Sequence, residues 1–269
     1  MTKLTTCAEG FSWPEAPRWH DGALWISDVH NFRIARVRCG GTPETMLTVE
    51  ERPAGMAFTP EGDLLYATSL AARIYRWREG GSPELLFDLG DTLSGNFNDM
   101  ITGPDGWSWV GETGFTFGQD DPVERGRIHA FHPERGCRIV AEGVFFPNGM
   151  AVVGDRLIVC ETFGKRLSSF RIGADGALDD RRVLAELPGH PDGLCRDAKG
   201  RFWVPLLFEE RFACLSEAGE MLSDIAVPGR MAIACASQDQ TLFLCMAAVD
   251  KQPGGLLLRV GSILTTLAE

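Results

Sequence analysis

Four short segments place oxygen-bearing side chains at matching points in this sequence. They are Glu15 in Trp13-Pro14-Glu15-Ala16, Asn98 in Phe97-Asn98-Asp99, Asn148 in Phe146-Pro147-Asn148-Gly149 and Asp192 in His190-Pro191-Asp192-Gly193. Two carboxylates and two amides form an all-oxygen donor set, which suits a hard cation such as calcium, magnesium or manganese. The two negative charges match a divalent ion. Calcium takes more oxygens than four side chains supply, so room is left for water or substrate, as a catalytic metal requires. Asn148-Gly149 and Asp192-Gly193 are also ordinary turn dipeptides. What separates the two readings is register.

A repeat sets that register. Units begin near Pro14, Pro53, Phe97, Pro147, Pro191 and Arg230, with spacings of 39, 44, 50, 44 and 39 residues by subtraction. Helical periodicity is hard to find, whereas short β-branched and aromatic runs recur between Gly, Pro and Asp. The period is that of a four-stranded propeller blade, so the fold expected is all-β, a six-bladed β-propeller with residues 1–269 as one domain. Each unit has a short inner strand, then a turn at Gly22, Gly62, Gly106, Gly154, Gly200 or Asp239. Counting back from these turns puts Glu15, Ala54, Asn98, Asn148, Asp192 and Met231 level to about one residue. Inner strands line the channel of a propeller, so four polar groups converge on its axis.

The strand after each turn is apolar, as in Leu24-Trp25-Ile26 and Phe202-Trp203-Val204, and fits between blades. A third strand alternates and is often basic, as in Arg73-Ile74-Tyr75-Arg76-Trp77, which fits a half-exposed position near the rim. Outer strands such as Glu84-Leu85-Leu86-Phe87 are weaker. The sixth unit is short, so Ser262–Thr265 or the N-terminal Leu4–Cys7 must complete it, and closure by the N-terminus would remove the open edge. The longest irregular stretch, residues 114–126, has a length more often functional than accidental and is placed to cover one mouth of the ring.

The formal net charge of -11 argues against nucleic acid or an anionic membrane as partner. No signal-like or membrane-spanning run is present, which predicts a cytoplasmic protein. The eight cysteines show no zinc or redox spacing, and several lie in apolar runs, which predicts buried free thiols and no disulfide framework. The five histidines have no ligand spacing, and only His190 is close in sequence to the site. Alternation turns Asp99 away from the channel if Asn98 faces it, giving Asp99 a buried hydrogen-bonding role, and Asp28, closing Trp25-Ile26-Ser27-Asp28, is read as structural too. Trp13, Phe146, His190, Phe117, Phe208 and Met231 flank the inner strands or their loops, where they wall a pocket or pack between blades. No phosphate loop, nucleophile elbow or Cys-His arrangement appears.

Through Pro14-Glu15-Ala16-Pro17-Arg18-Trp19, Asn98-Asp99, Phe146-Pro147-Asn148-Gly149-Met150 and Pro191-Asp192-Gly193-Leu194, the chain resembles the family of senescence marker protein (regucalcin), gluconolactonase and luciferin-regenerating enzyme. The resemblance implies a six-bladed propeller, one axial divalent cation and lactone hydrolysis. It carries the metal ligands onto Glu15, Asn148 and Asp192, a substrate contact onto Asn98, and a candidate general base onto Asp192. Trp13, Phe146 and His190 join Asn98 as candidate substrate contacts. Calcium is the first choice of cation, with zinc, manganese or magnesium as alternatives. One departure is plain: where sugar-acid lactonases of the family carry an arginine two residues before the asparagine, this chain has Asn96. The function expected is divalent-metal-dependent hydrolysis of a lactone ring, with the metal as Lewis acid at the propeller axis. The alternatives are a metal-dependent esterase or organophosphate hydrolase, and a calcium-binding propeller without catalysis.

Overall fold

The computed structural model describes residues 3–117, 124–252 and 255–267. These form six four-stranded antiparallel sheets arranged as the blades of a ring. The inner strands of blades 1 to 4 are Pro14–His20, Pro53–Phe58, Phe97–Thr102 and Pro147–Val153, and that of blade 6 is Arg230–Gln238. Blade 5 is the thin one, with a ladder only at Cys195–Arg196 and a single bridge from Pro191 to Leu206. Pro191 has no N–H to extend a ladder. Asp192 N–H donates to Pro205 O and Gly193 N–H to Ile233 O, so this backbone is shared with blade 6.

The six turn residues that set the register all have positive φ, from 53° at Asp239 to 92° at Gly62, the conformation that tight strand turns demand. Burial then falls from axis to rim. Every residue of the second strands Ala23–Asp28, Leu64–Thr68, Ser108–Glu112 and Phe202–Leu206 is buried. The outer strand Glu84–Asp88 has no buried residue. Second strands are sandwiched between neighbouring sheets, and each fully buried Leu, Ile or Phe there contributes about 1.5–3 kcal/mol.

Both terminal segments complete the last blade. Its strands run Arg230–Gln238, Thr241–Gln252, Gly255–Leu267 and then the N-terminal Thr5–Phe11. The seam is apolar, with Phe11 and Ile233 of blade 6 in one cluster with Leu24 and Ile26 of blade 1. Residues 118–123 of the stretch expected to cover the mouth lie outside the described residues.

The reading of the cysteines as buried free thiols, which left a disulfide possible, is corrected at one pair: Cys7 and Cys39 form a disulfide. Ring closure is the reason. It brings strand Thr5–Phe11 against the turn that follows Arg33–Val37 of blade 1, where Gly40 N–H donates to Cys7 O at 3.0 Å. Cys160, Cys195, Cys214, Cys235 and Cys245 are buried free thiols, and Cys137 is half-buried. Because the bridge spans 32 residues, chain entropy puts its contribution at about 3–4 kcal/mol. The Cys7→Ser/Cys39→Ser variant is therefore expected to show a lower urea midpoint than the oxidised protein, with no further change on adding reductant. Equal midpoints for the two proteins would show that the seam holds without the bridge.

Candidate functional site

All six register positions, Glu15, Ala54, Asn98, Asn148, Asp192 and Met231, line a single cavity of about 510 Å³. Asn148 and Asp192 are 2% and 3% exposed, while Glu15 and Asn98 are half-buried. Asn148 Nδ2 donates to Asp192 Oδ1 at 2.5 Å and to Thr162 Oγ1 at 3.2 Å. Trp13 Nε1 donates to Glu15 Oε1 at 2.8 Å. Asp99 turns away from this set, as alternation requires, and takes Arg18 at 2.7 Å in a buried ion pair.

The electrostatics are those of an uncompensated pair. Loss of water and then repulsion from Asp192 raise the Glu15 carboxyl well above its ordinary range, against the Trp13 hydrogen bond. Burial, with the charge of Asp99 adding to it, pushes Asp192 up to about 8 despite the Asn148 amide. Neither carboxylate has an ion-pair partner among the described residues, and Asn148 Oδ1 is buried with no hydrogen bond. A carbonyl oxygen orphaned beside two crowded carboxylates is the environment a hard cation satisfies. Among the described residues no three His, Cys, Asp or Glu side chains cluster in this way, because half of this donor set is amide.

Positioning comes from carboxylates at the ends of the second strands, which sequence reasoning left out or read only as structural. Asp28 Oδ1 accepts Ser12 N–H at 2.8 Å and Trp13 N–H at 3.4 Å. Glu112 Oε1 accepts Ser94 N–H at 2.8 Å, and Glu161 Oε2 accepts Phe145 N–H at 2.9 Å. Each holds the segment that delivers Glu15, Asn98 or Asn148. The signal was present as an acidic residue closing an apolar run, in Ser27-Asp28, Gly111-Glu112 and Cys160-Glu161. Glu209 follows the same habit in blade 5, taking His190 N–H at 3.1 Å and His190 Nδ1 at 3.0 Å.

Burial opposes ionisation of Glu112 and Glu161, yet His129 and Ser94 on the first, and Arg166, Ser168 and Phe145 N–H on the second, hold both carboxyls below the ordinary range. A depressed folded-state value means the stabilisation is complete above the unfolded carboxyl value of about 4.3 and is lost as pH falls through the folded one. Urea midpoints are thus expected to fall steeply below about pH 4, and Glu161→Gln is expected to flatten that fall. An unchanged acid limb in Glu161→Gln would show that this network does not govern acid stability.

Trp13, Phe117, Phe146, Phe208 and Met231 all line the cavity, as do Phe115 and Phe163 from the loops after the second strands of blades 3 and 4. Phe115, Phe117, Phe146 and Phe163 touch edge to face or tilted, with centroids 5.2–5.9 Å apart, so one wall is a phenyl cluster. His190 stands outside the lining, its ring edge-on to Phe208 at 5.2 Å.

Comparison with known proteins fits this geometry. A family model for the SMP-30/Gluconolactonase/LRE-like region matches residues 13–248. The chain belongs to that family. Within the SMP-30/gluconolactonase/LRE-like family, a 6-deoxy-6-sulfogluconolactonase of Pseudomonas putida is 25% identical over 232 residues, covering 80% of this chain and 76% of the relative. Strictosidine synthase-like 4 of Arabidopsis thaliana is 27% identical over 169 residues, which is 59% of this chain and 45% of the plant protein. The chain spans about half the length of such plant relatives. A solved gluconolactonase from Xanthomonas campestris superposes with a TM-score of 0.79 at 25% identity, covering 99% of this chain and 90% of that one.

Proposed function

We propose that this protein is a divalent-cation-dependent lactonase working in the axial cavity. The observation that carries the reading is the orphaned, buried Asn148 Oδ1 beside Asp192 and Glu15, two carboxylates on the same cavity with no cationic partner among the described residues. Glu15, Asn148 and Asp192 would hold the ion, which supplies Lewis acidity toward a carbonyl oxygen. Relatives named gluconolactonase and 6-deoxy-6-sulfogluconolactonase support a cyclic ester as the substrate class.

The remaining steps belong to the chain. Asn98 has no side-chain partner among the described residues, so its amide is available to orient a lactone ring. Asp192 Oδ1 is tied to Asn148, whereas Oδ2 takes no hydrogen bond from the described residues. That oxygen would accept the proton of an attacking water. The phenyl wall keeps bulk water from one side of the ring, which strengthens every polar contact inside.

The test is proton release from five- and six-membered lactones after chelation, followed by separate addition of calcium, zinc, manganese or magnesium. The expected result is activity lost on chelation and restored by one ion, with the same ion raising the melting temperature in the wild type and not in Glu15→Gln. Thermal stabilisation by an ion without turnover of any lactone or ester would make the protein a cation-binding propeller. Turnover that survives chelation would remove the cation from the reaction.

A further inference from the structure

Among the described residues, one cation of the cavity has no partner to hold it. Arg52, which immediately precedes the inner strand of blade 2, lines the cavity, and its Nε is buried without a hydrogen bond. Arg18 and Arg166 also have a buried Nε without a hydrogen bond, but each pairs with a carboxylate through another nitrogen, Arg18 with Asp99 and Arg166 with Glu161, as Arg33 does with Asp28 and Arg36 with Glu44. No carboxylate among the described residues pairs with Arg52, and the charges acting on Glu15 come from Asp192 and Asp99 instead. Ser69, on the same lip, donates its N–H to Arg52 O and lines the same cavity, with no side-chain hydrogen bond among the described residues.

We propose that Arg52 and Ser69 bind an anionic oxygen group on the substrate, so that the preferred lactone bears a carboxylate or sulfonate beside an apolar body. This rests on the lactonase reading above and names its substrate class. A half-desolvated guanidinium with no counter-ion among the described residues leaves attraction unused that a carboxylate or sulfonate satisfies by accepting two hydrogen bonds on two of its oxygens. The donors lie on blade 2, while the phenyl cluster and Phe208 come from blades 3 to 5, so the two ends of one ligand meet opposite chemistry. Nearby His30 shows the field of Arg52 inside the cavity: burial first, and Arg52 second, hold its imidazole below the ordinary range. It therefore adds no competing cation at neutral pH.

Two measurements test this. The first compares kcat/KM for γ-phenyl-γ-butyrolactone and its para-carboxylate derivative in wild type, Arg52→Gln and Arg52→Lys. Wild type is expected to prefer the anion by about tenfold or more, and Arg52→Gln to erase the preference while changing the neutral lactone less than about threefold. Arg52→Lys keeps the charge and loses the fork, so part of the preference should return. The second is calorimetric binding of 2-phenylethanesulfonate, which needs no turnover and whose sulfonate is a weak metal ligand. Its affinity is expected to fall about tenfold in Arg52→Gln and to weaken with salt in the wild type. Sulfonate binding that depends on Arg52, with no lactone hydrolysed, would overturn the lactonase reading and keep the anion site. A wild type without preference, or equal losses on both lactones in Arg52→Gln, would overturn the anion site itself.

Discussion

Asp192→Asn is expected to lower lactone hydrolysis by about 1,000-fold while making the cation-free protein more stable than the wild type. The two effects share one cause. Asp192 is 3% exposed and shares its cavity with Glu15, and no described residue pairs a cation with either. Removing one of two crowded buried carboxylates relieves desolvation and repulsion together. Asparagine can still accept the Asn148 amide through its own carbonyl, so packing survives. Without added cation the melting temperature should rise by about 3 °C or more. With cation the order should reverse, because wild type gains about 2.7 kcal/mol at a hundredfold excess over Kd and the variant gains far less. The measurement is a pair of melting curves, with chelator and with the activating ion, beside the kinetics. Full activity in Asp192→Asn would end its role as proton acceptor. A variant destabilised under chelation would show that the carboxylate has a structural partner.

How far the sequence could be read depended on whether a feature was local. The axis was legible because turn residues mark the register by counting, and Glu15, Asn98, Asn148 and Asp192 do line one cavity with Ala54 and Met231. Closure by the N-terminal strand was legible because the sixth unit lacked a strand. The Cys7–Cys39 bridge was not, since it depends on which blade that strand joins and how blades 6 and 1 meet. Arg52 gave no local signal either: an arginine before a proline looks like any surface residue until three blades are placed around it. His190 shows the converse, because closeness in sequence to Asp192 suggested a substrate contact, while Glu209 and Phe208 hold its ring outside the lining.

The glycines of Asn148-Gly149 and Asp192-Gly193 were read as turn formers, and the structure gives them another task. Residues one position beyond the channel-facing set are Ala16, Gly55, Asp99, Gly149, Gly193 and Ala232, and the glycines among them sit where adjacent inner strands nearly touch. A Cβ on Gly149 would stand 2.3 Å from both Gly193 C and Leu194 N, and one on Gly193 would stand 2.7 Å from Ala234 Cα. Those neighbours are backbone, so no rotamer change makes room. Gly149→Ala is therefore expected to cost about 3 kcal/mol or more, whereas Gly173→Ala, whose Cβ would meet its nearest neighbour at 3.6 Å, should stay within about 0.5 kcal/mol. Pushing the strands apart also breaks Gly149 N–H to Asp192 O, now 3.0 Å, and draws Asn148 away from Asp192. Activity of the folded fraction should accordingly fall further in Gly149→Ala than the loss of stability accounts for, which urea midpoints and specific activity measured on the same samples would separate. A Gly149→Ala protein with wild-type midpoint and turnover would mean that the axis tolerates wider spacing, and that the tight approach of these strands is not what sets the donor geometry.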